Sequence, residues 1–523
     1  TQPLLFGHAW INPKDIPFMA FFLLTIASGL KVSDQLENLP DGGQGDQKLK
    51  GLISTFKQDW ELLNLSTKVL SLGMMVGSLI TLFFVRYYPN YFQIRIKTLI
   101  NQTSQPALRS FINRLSFLLF NAGIDNGITL NNVKAIYPFL FIFLLLFITT
   151  ALLVLVMCYF PQLFRWLSGY RSRKTFRQQL FRVLRLPQIY FGAFVLGFAA
   201  TNRTLTLAAG FLVLLYLWIN HRTYLLPVSL VYLGTAVLVI YLSWPAMWGN
   251  PILGLFRSLF QVSDFSWGGN TLFWGEALGS EQLPATYIPT LLAIQFTLPA
   301  LLLSGLGLFA VKDVLQHDRK TKTLILLMAG WFFIPLVSTL IVDPATYDNF
   351  RHYFFLVPPL FFIAGLGLSV LVKHIQPSYP AFILAVLFLI PGIWNIITLH
   401  PYQYIYYNGL VGGVEGAFRE FETDYWATSY RECTRYLNEV APPHAKIVVT
   451  GPAHIVKNYA REDLEILKYR KPDAHWMFDL ADYAIISSRG NHDRYLLEDQ
   501  PTIYEVTRSG ATLSVIKEIQ MGQ

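Results

Sequence analysis

Asp15 lies in the string Asn12-Pro13-Lys14-Asp15-Ile16-Pro17, directly ahead of an apolar run. A carboxylate near the end of a membrane span is costly unless it meets a cavity, a cation or a partner. Asp15 is therefore a candidate for activating a hydroxyl, hydrogen-bonding a substrate or binding a divalent cation such as Mg or Mn. The competing reading is a helix cap, with Pro17 in a first turn that needs no N–H there. Lys14, beside it, offers a cation to a phosphate.

A second string, Asp343-Pro344-Ala345-Thr346-Tyr347-Asp348-Asn349-Phe350-Arg351-His352-Tyr353, also runs straight into an apolar stretch. Arg351 presents a planar fork of donors suited to phosphate, and His352 can donate or accept beside it. Interfacial anchoring by Tyr, His and Arg explains the same residues equally well. A third group comprises Trp244 to Trp248, Trp267, Trp274 and Glu276. Aromatic faces near a carboxylate suit a sugar, whose C–H faces stack while its hydroxyls seek polar partners. Such residues also populate ordinary membrane-interface belts. Arg203, between two short apolar runs, either reaches a phosphate or snorkels to headgroups.

These residues must be positioned by a chain that is not an ordinary soluble protein. Its 523 residues are 53% hydrophobic and 14% charged, against roughly 25% charged in soluble domains. Apolar runs fall near residues 16–32, 68–86, 136–160, 188–200, 205–219, 224–243, 287–311, 322–342, 352–372 and 380–399. At roughly 20 residues per span this predicts a polytopic α-helical membrane protein of about ten spans. The runs on either side of Thr201 to Thr204 are read as two helices rather than one broken element. The formal charge of +9 comes from basic residues lying mostly between apolar runs, which orients a membrane protein and argues against nucleic acid. Cys158 and Cys433 are too few for a disulfide framework or a thiolate metal site, and the sequence has neither a Walker loop nor a zinc-type His-Glu spacing.

Basic connections stay in the cytoplasm. Residues 161–187 carry Arg165, Arg171, Arg173, Lys174, Arg177, Arg182 and Arg185 with no acid, and 312–322 is also basic. Alternation then puts 1–15, 201–204, 244–286, 343–351 and everything beyond 400 outside. Asp264, Glu276 and Glu281 agree with that side. The basic segment 87–134 does not, and its apolar spacing around Phe111, Leu115, Leu118 and Leu119 suggests an amphipathic interfacial helix. After residue 400, strands such as Lys446 to Thr450 and Tyr483 to Ser487 alternate with helix-like stretches 427–440 and 461–468. That pattern predicts a small extracytoplasmic α/β domain. The aromatic run Tyr402 to Tyr407 is expected where the last span meets it.

Several strings resemble the bacterial membrane glycosyltransferases of family 39, similar to protein mannosyltransferases dependent on dolichyl-phosphate-mannose and to lipid A aminoarabinose transferases in the GT-C superfamily. They are Phe6-Gly-His-Ala-Trp-Ile-Asn-Pro-Lys-Asp15-Ile-Pro-Phe, Tyr347-Asp-Asn-Phe-Arg351-His-Tyr-Phe-Phe-Leu-Val-Pro358-Pro-Leu, His400-Pro-Tyr-Gln-Tyr-Ile-Tyr-Tyr-Asn408-Gly and Phe421-Glu422-Thr-Asp424-Tyr-Trp426. The likeness covers 1–32 and about 188–440. It implies a GT-C-like helix bundle that moves a sugar from a polyprenyl-phosphate carrier to a glycan, lipid or protein acceptor on the extracytoplasmic side, inverting the anomeric centre. It also implies two carboxylates, one in the first outer loop and one at the start of a later helix, and Asp15 matches the second.

The resulting plan has five parts. Residues 1–32 form an outer loop and the first span of the core. Residues 33–160 are an insertion with two extra spans, expected to meet a partner membrane protein or lipid. Residues 161–187 are a cytoplasmic loop, 188–400 the remaining core with outer loops 244–286 and 343–351, and 401–523 the α/β domain. Because the chain opens on Thr1 with no signal peptide, it is expected to begin mid-protein, the first carboxylate lying in an earlier segment; alternatively Glu276, Asp348 or Glu422 takes that place. The expected function is a polyprenyl-phosphate-dependent hexosyltransferase of the cell (inner) membrane. Asp15 would be its catalytic residue, with Arg351, His352, Lys14 and Arg203 on the donor phosphate, and Trp267, Trp274, Glu276, Asp348 and Tyr347 on sugar or acceptor. A lipid-linked sugar flippase and a noncatalytic membrane component are the alternatives.

Overall fold

The computed structural model describes residues 2–39, 173–248, 267–280, 282–316, 318–342, 345–373, 378–469 and 475–520. The expected spans at 68–86 and 136–160, the interfacial segment around Phe111 and the connection 161–172 lie outside the described residues. Among the described residues, four helices are long and apolar enough to cross a membrane: Asp15–Glu37, Arg222–Ser243, Arg319–Thr339 and Asn349–Lys373. Two bent pairs raise the number to six, Phe176–Val183 with Pro187–Asn202 at 74° and Tyr287–Ile294 with Leu298–Val314 at 111°. Thr204–Asn220 and Phe382–Thr398 are shorter apolar helices. The described residues are thus mostly helical with a small sheet region, and 188–219 holds two separate helices as expected.

The expected run 287–311 is broken, and a distant side chain accounts for the break. Asn408 donates from Nδ2 to the carbonyls of Ala293 and Phe296 and from its backbone to that of Ile294. These bonds satisfy carbonyls left open at the end of Tyr287–Ile294. Pro299 then sits in the first turn of Leu298–Val314, where a missing N–H is tolerated. The first helix also outruns its expected end at 32, continuing to Glu37.

The described chain divides into two compact units. One comprises 21–265 and 318–342. In it Phe22 stacks on Trp331 at 5.1 Å between ring centres, and Ser33 Oγ meets His221 Nε2 at 2.8 Å.

The other unit comprises 1–20, 266–317 and 343–523. Its helices Leu298–Val314 and Val357–Lys373 touch backbone to backbone. A Cβ on Gly307 would stand 1.9 Å from the Ile363 carbonyl oxygen, and one on Gly367 2.0 Å from that of Leu303. Small residues at such crossings let apolar helices pack closely. The short helix Pro3–Ile11 lies equally close to Gln403 and Tyr404, since a Cβ on Gly7 would meet Tyr404 N at 2.3 Å.

Two sheets belong to this unit. The hairpin β1 (Asn270–Phe273) and β2 (Glu276–Gly279) turns at Trp274 and Gly275, both at positive φ as a two-residue hairpin favours. The larger sheet contains β3 (Lys446–Val449), β4 (Glu465–Lys468), β5 (Tyr483–Ser487), β6 (Thr502–Arg508) and β7 (Ala511–Glu518) in the order β4-β3-β5-β7-β6. β4, β3 and β5 run parallel, while β5, β7 and β6 are antiparallel. The stretch 461–468, expected to be helix-like, therefore ends in a strand. Its Ile466 and Leu467 pair with Ile447 and Val448, a non-local partnership that overrides local propensity. Helix Tyr430–Val440 packs Cys433 and Leu437 into the core with Ile447, Val449 and Ile485, and Tyr402, Tyr404 and Tyr406 belong to the same core. The aromatic run is therefore interior to the junction.

Candidate functional site

Asn12 prepares the start of the Asp15–Glu37 helix. Its Oδ1 accepts the backbone N–H groups of Lys14 and Asp15 at 3.1 and 2.9 Å and so caps this end of the helix. The Asp15 carboxylate is fully buried and turned to other partners. Its Oδ2 accepts from Asn12 Nδ2 at 2.6 Å and from Arg351 Nη1 at 3.0 Å.

With Asn12 Oδ1 committed to two donors, its Nδ2 must also be what faces His8 Nδ1 at 3.2 Å. That nitrogen is the unprotonated one, so Nε2 carries the hydrogen and donates to Tyr425 Oη at 2.8 Å. Tyr425 passes its own hydrogen to the Tyr404 carbonyl. Burial, helped by the charge of Arg351, pushes the imidazole down to about 3, and His8 is neutral.

Arg351 is almost fully buried and belongs to a chain of alternating charges. Its Nη2 donates to Asp348 Oδ2 at 2.8 Å. The other oxygen of Asp348 accepts from Arg489 Nη2 at 2.5 Å, and Arg489 Nε stands 3.2 Å from Glu422 Oε2. The order is Asp15, Arg351, Asp348, Arg489, Glu422. Asp348 and Asn349 hold positive φ, a conformation in which Asx residues are over-represented. Glu422 is fixed by Leu272 N–H of β1 at 3.0 Å. Its burial raises the carboxyl above the ordinary range, against the pull of Arg489. Asp424, two residues beyond Glu422, accepts from Tyr404 Oη, Ser429 Oγ and the Thr428 and Ser429 N–H groups, which secures the entry to helix Tyr430–Val440.

Aromatic rings tie the two arginines a second time. Trp267 stacks on Tyr347 at 4.5 Å and 13°. Arg489 lies 5.2 Å from the Trp267 ring centre, and Arg351 lies 5.0 Å from that of Tyr347 and 5.4 Å from that of Trp426. Such placements add cation–π attraction to the ion pairs. His352 meets Tyr347 edge to face at 4.7 Å.

Of the residues singled out from sequence, Asp15, Arg351, Asp348, Tyr347, His352 and Trp267 therefore come together. Trp267 and Tyr347 spend their faces on each other and on guanidinium groups. Trp274 is 54% exposed at the hairpin turn against Phe421, and Glu276 follows it on the exposed side. Lys14 is exposed next to Asp15. Arg203 belongs to the other unit, between helices Pro187–Asn202 and Leu207–Asn220. Of the three acids considered for the place of the first carboxylate, Asp348 and Glu422 join the Asp15 chain and Glu276 lies at the exposed hairpin.

Among the described residues no group of three or more His, Cys, Asp or Glu is arranged to hold a metal ion, and Asp15 Oδ2 is occupied by amide and guanidinium donors. Arg489, His8 and Trp426 had no assigned role from sequence. The available signal for Arg489 was a basic residue at the carboxyl end of a buried strand, where ligands of parallel sheets gather. Compared with protein-family models, curated proteins and solved structures, the chain matches none.

Proposed function

We propose that the chain is an integral-membrane glycosyltransferase that moves a sugar from a polyprenyl-phosphate carrier to a hydroxyl acceptor on the extracytoplasmic side of the cell membrane. The supporting observation is the buried pair of Asp15 and Arg351, 3.0 Å apart at the start of an apolar helix, within a network of buried acids and bases. Buried charges of this kind at a membrane helix end cluster at functional sites. In the proposed reaction the acceptor oxygen bonds to the anomeric carbon as the bond from that carbon to the carrier phosphate oxygen breaks, inverting the centre. Asp15 takes the acceptor proton, and the charge growing on the leaving phosphate is met by Arg351, which yields one carboxylate to do so. The about ten spans, the multi-pass topology and the outer position of the α/β domain belong to the same proposal. So does a role for Trp274 and Glu276 on the sugar.

The test is incubation of the purified protein in vesicles with radiolabelled polyprenyl-phosphate sugars. Transfer or hydrolysis of the label supports the enzyme. Movement of intact lipid between leaflets would replace it with a flippase, and neither outcome leaves a noncatalytic component.

A further inference from the structure

Arg489 comes from the α/β domain, in the turn that follows β5. The sheet delivers it to one place. β3 connects through helix Ala453–Tyr459 to β4 on one side, and β5 lies on the other side of β3. The chain thus reverses direction across the sheet at the carboxyl ends of β3 and β5. There the Ser487 hydroxyl accepts the Arg489 N–H at 3.1 Å, and Gly490 holds φ of +58°. Arg489 Nη1 is pinned by the Tyr425 carbonyl at 3.1 Å, leaving Nη2 for Asp348 and Nε beside Glu422.

We propose that Arg489 is a positioning residue of the Asp15 site, holding one oxygen of Asp348 so that the other, and only the other, engages Arg351. The proposal rests on the glycosyltransferase reading for what the site does. Its physical basis is the preference of a guanidinium for a two-pronged grip on one carboxylate. With Asp348 Oδ1 taken, Arg351 grips Asp348 through Nη2 alone and its Nη1 stays on Asp15. Without Arg489, Asp348 turns both oxygens to Arg351 and draws Nη1 away from Asp15. The removed cation also leaves Glu422 without its guanidinium and Asp348 with Arg351 alone. The stacked Trp267 and Tyr347 each carry one of the two guanidiniums on a ring, Arg489 at 5.2 Å and Arg351 at 5.0 Å. The α/β domain is on this account part of the active site.

The experiment is a double-mutant cycle on the full chain with Arg489→Ala, Arg489→Lys, Asp348→Asn and the Ala–Asn double variant. Arg489→Ala should lower kcat at least about 20-fold while donor KM stays within about threefold, and Arg489→Lys should recover part of the loss. In the Asp348→Asn background the same Ala substitution should cost less than about threefold, because the residue it acts through is already altered. Equal losses in both backgrounds overturn the proposal. A rise in donor KM of more than about tenfold at unchanged kcat also overturns it, making Arg489 a direct phosphate ligand. If the wild type transfers no sugar, the glycosyltransferase reading fails. The positional role is then read from thermal melting of the same four variants, where non-additive losses uphold it and additive losses overturn it.

Discussion

Arg351 Nη1 donates to Asp15 Oδ2 at 3.0 Å across 336 residues of sequence. The contact joins the first turn of one apolar helix to the 3-10 turn Asn349–Leu356 that leads into another. Neither group is accessible enough for water to replace its partner, so each depends on the other as its buried counter-charge.

Asp15→Asn tests the chemical half of that dependence. The amide keeps the size of the side chain, and Asn12 still caps the helix, so the protein should fold and insert. Transfer should fall by at least about 100-fold, whereas retention within about tenfold, worth only about 1.4 kcal/mol, would remove Asp15 from catalysis.

Arg351→Ala tests the structural half. It leaves Asp15 and Asp348 buried without that cation, a change that typically costs about 3–5 kcal/mol. A clear drop in melting temperature is expected. Arg351→Lys supplies one compact ammonium in place of a fork, so it should restore much of the stability but not donor use. Unchanged donor dependence in both variants would take Arg351 out of the phosphate site.

What the sequence revealed of this site follows the range of each signal. Each apolar run in the described residues is helical, because a long apolar segment can satisfy its backbone only internally. Asp15 and the Asp348 to Arg351 string stood out because charge beside an apolar run is rare. The break at 295–297 was hidden because its cause, Asn408, is more than a hundred residues away. Arg489 was hidden for the same reason, its partners Asp348 and Glu422 lying far back in the chain. The strand at 465–468 depends on its pairing with β3, which no local pattern records.

Close helix packing gives a prediction with an internal control. Gly307→Ala and Gly367→Ala each place a Cβ within 2.0 Å of a carbonyl oxygen on the neighbouring helix. The helices must separate, at about 1–3 kcal/mol. Gly305 and Gly365 lie on the same two helices with nothing within 4 Å of a built Cβ. Their Ala variants should melt like the wild type or slightly higher, since Ala is the better helix former. Equal behaviour of all four would mean the close crossing does not form.

His8 makes the pH dependence of stability calculable in sign. Its folded value is depressed from 6.5 to about 3, so the unfolded chain binds the proton more readily. The stability that neutral His8 provides is complete above pH 6.5 and is lost as the pH falls toward 3. At pH 5 the loss from this group is about 2 kcal/mol. Protonation would put a second hydrogen on Nδ1, opposite the donating Nδ2 of Asn12, and would set a cation near Arg351. His8→Gln retains a donor and an acceptor without titrating in this range. Its melting temperature should be lower than wild type at pH 8 but should change less between pH 7 and 5. A fall between those pH values as steep as the wild-type one would show that other groups carry the dependence.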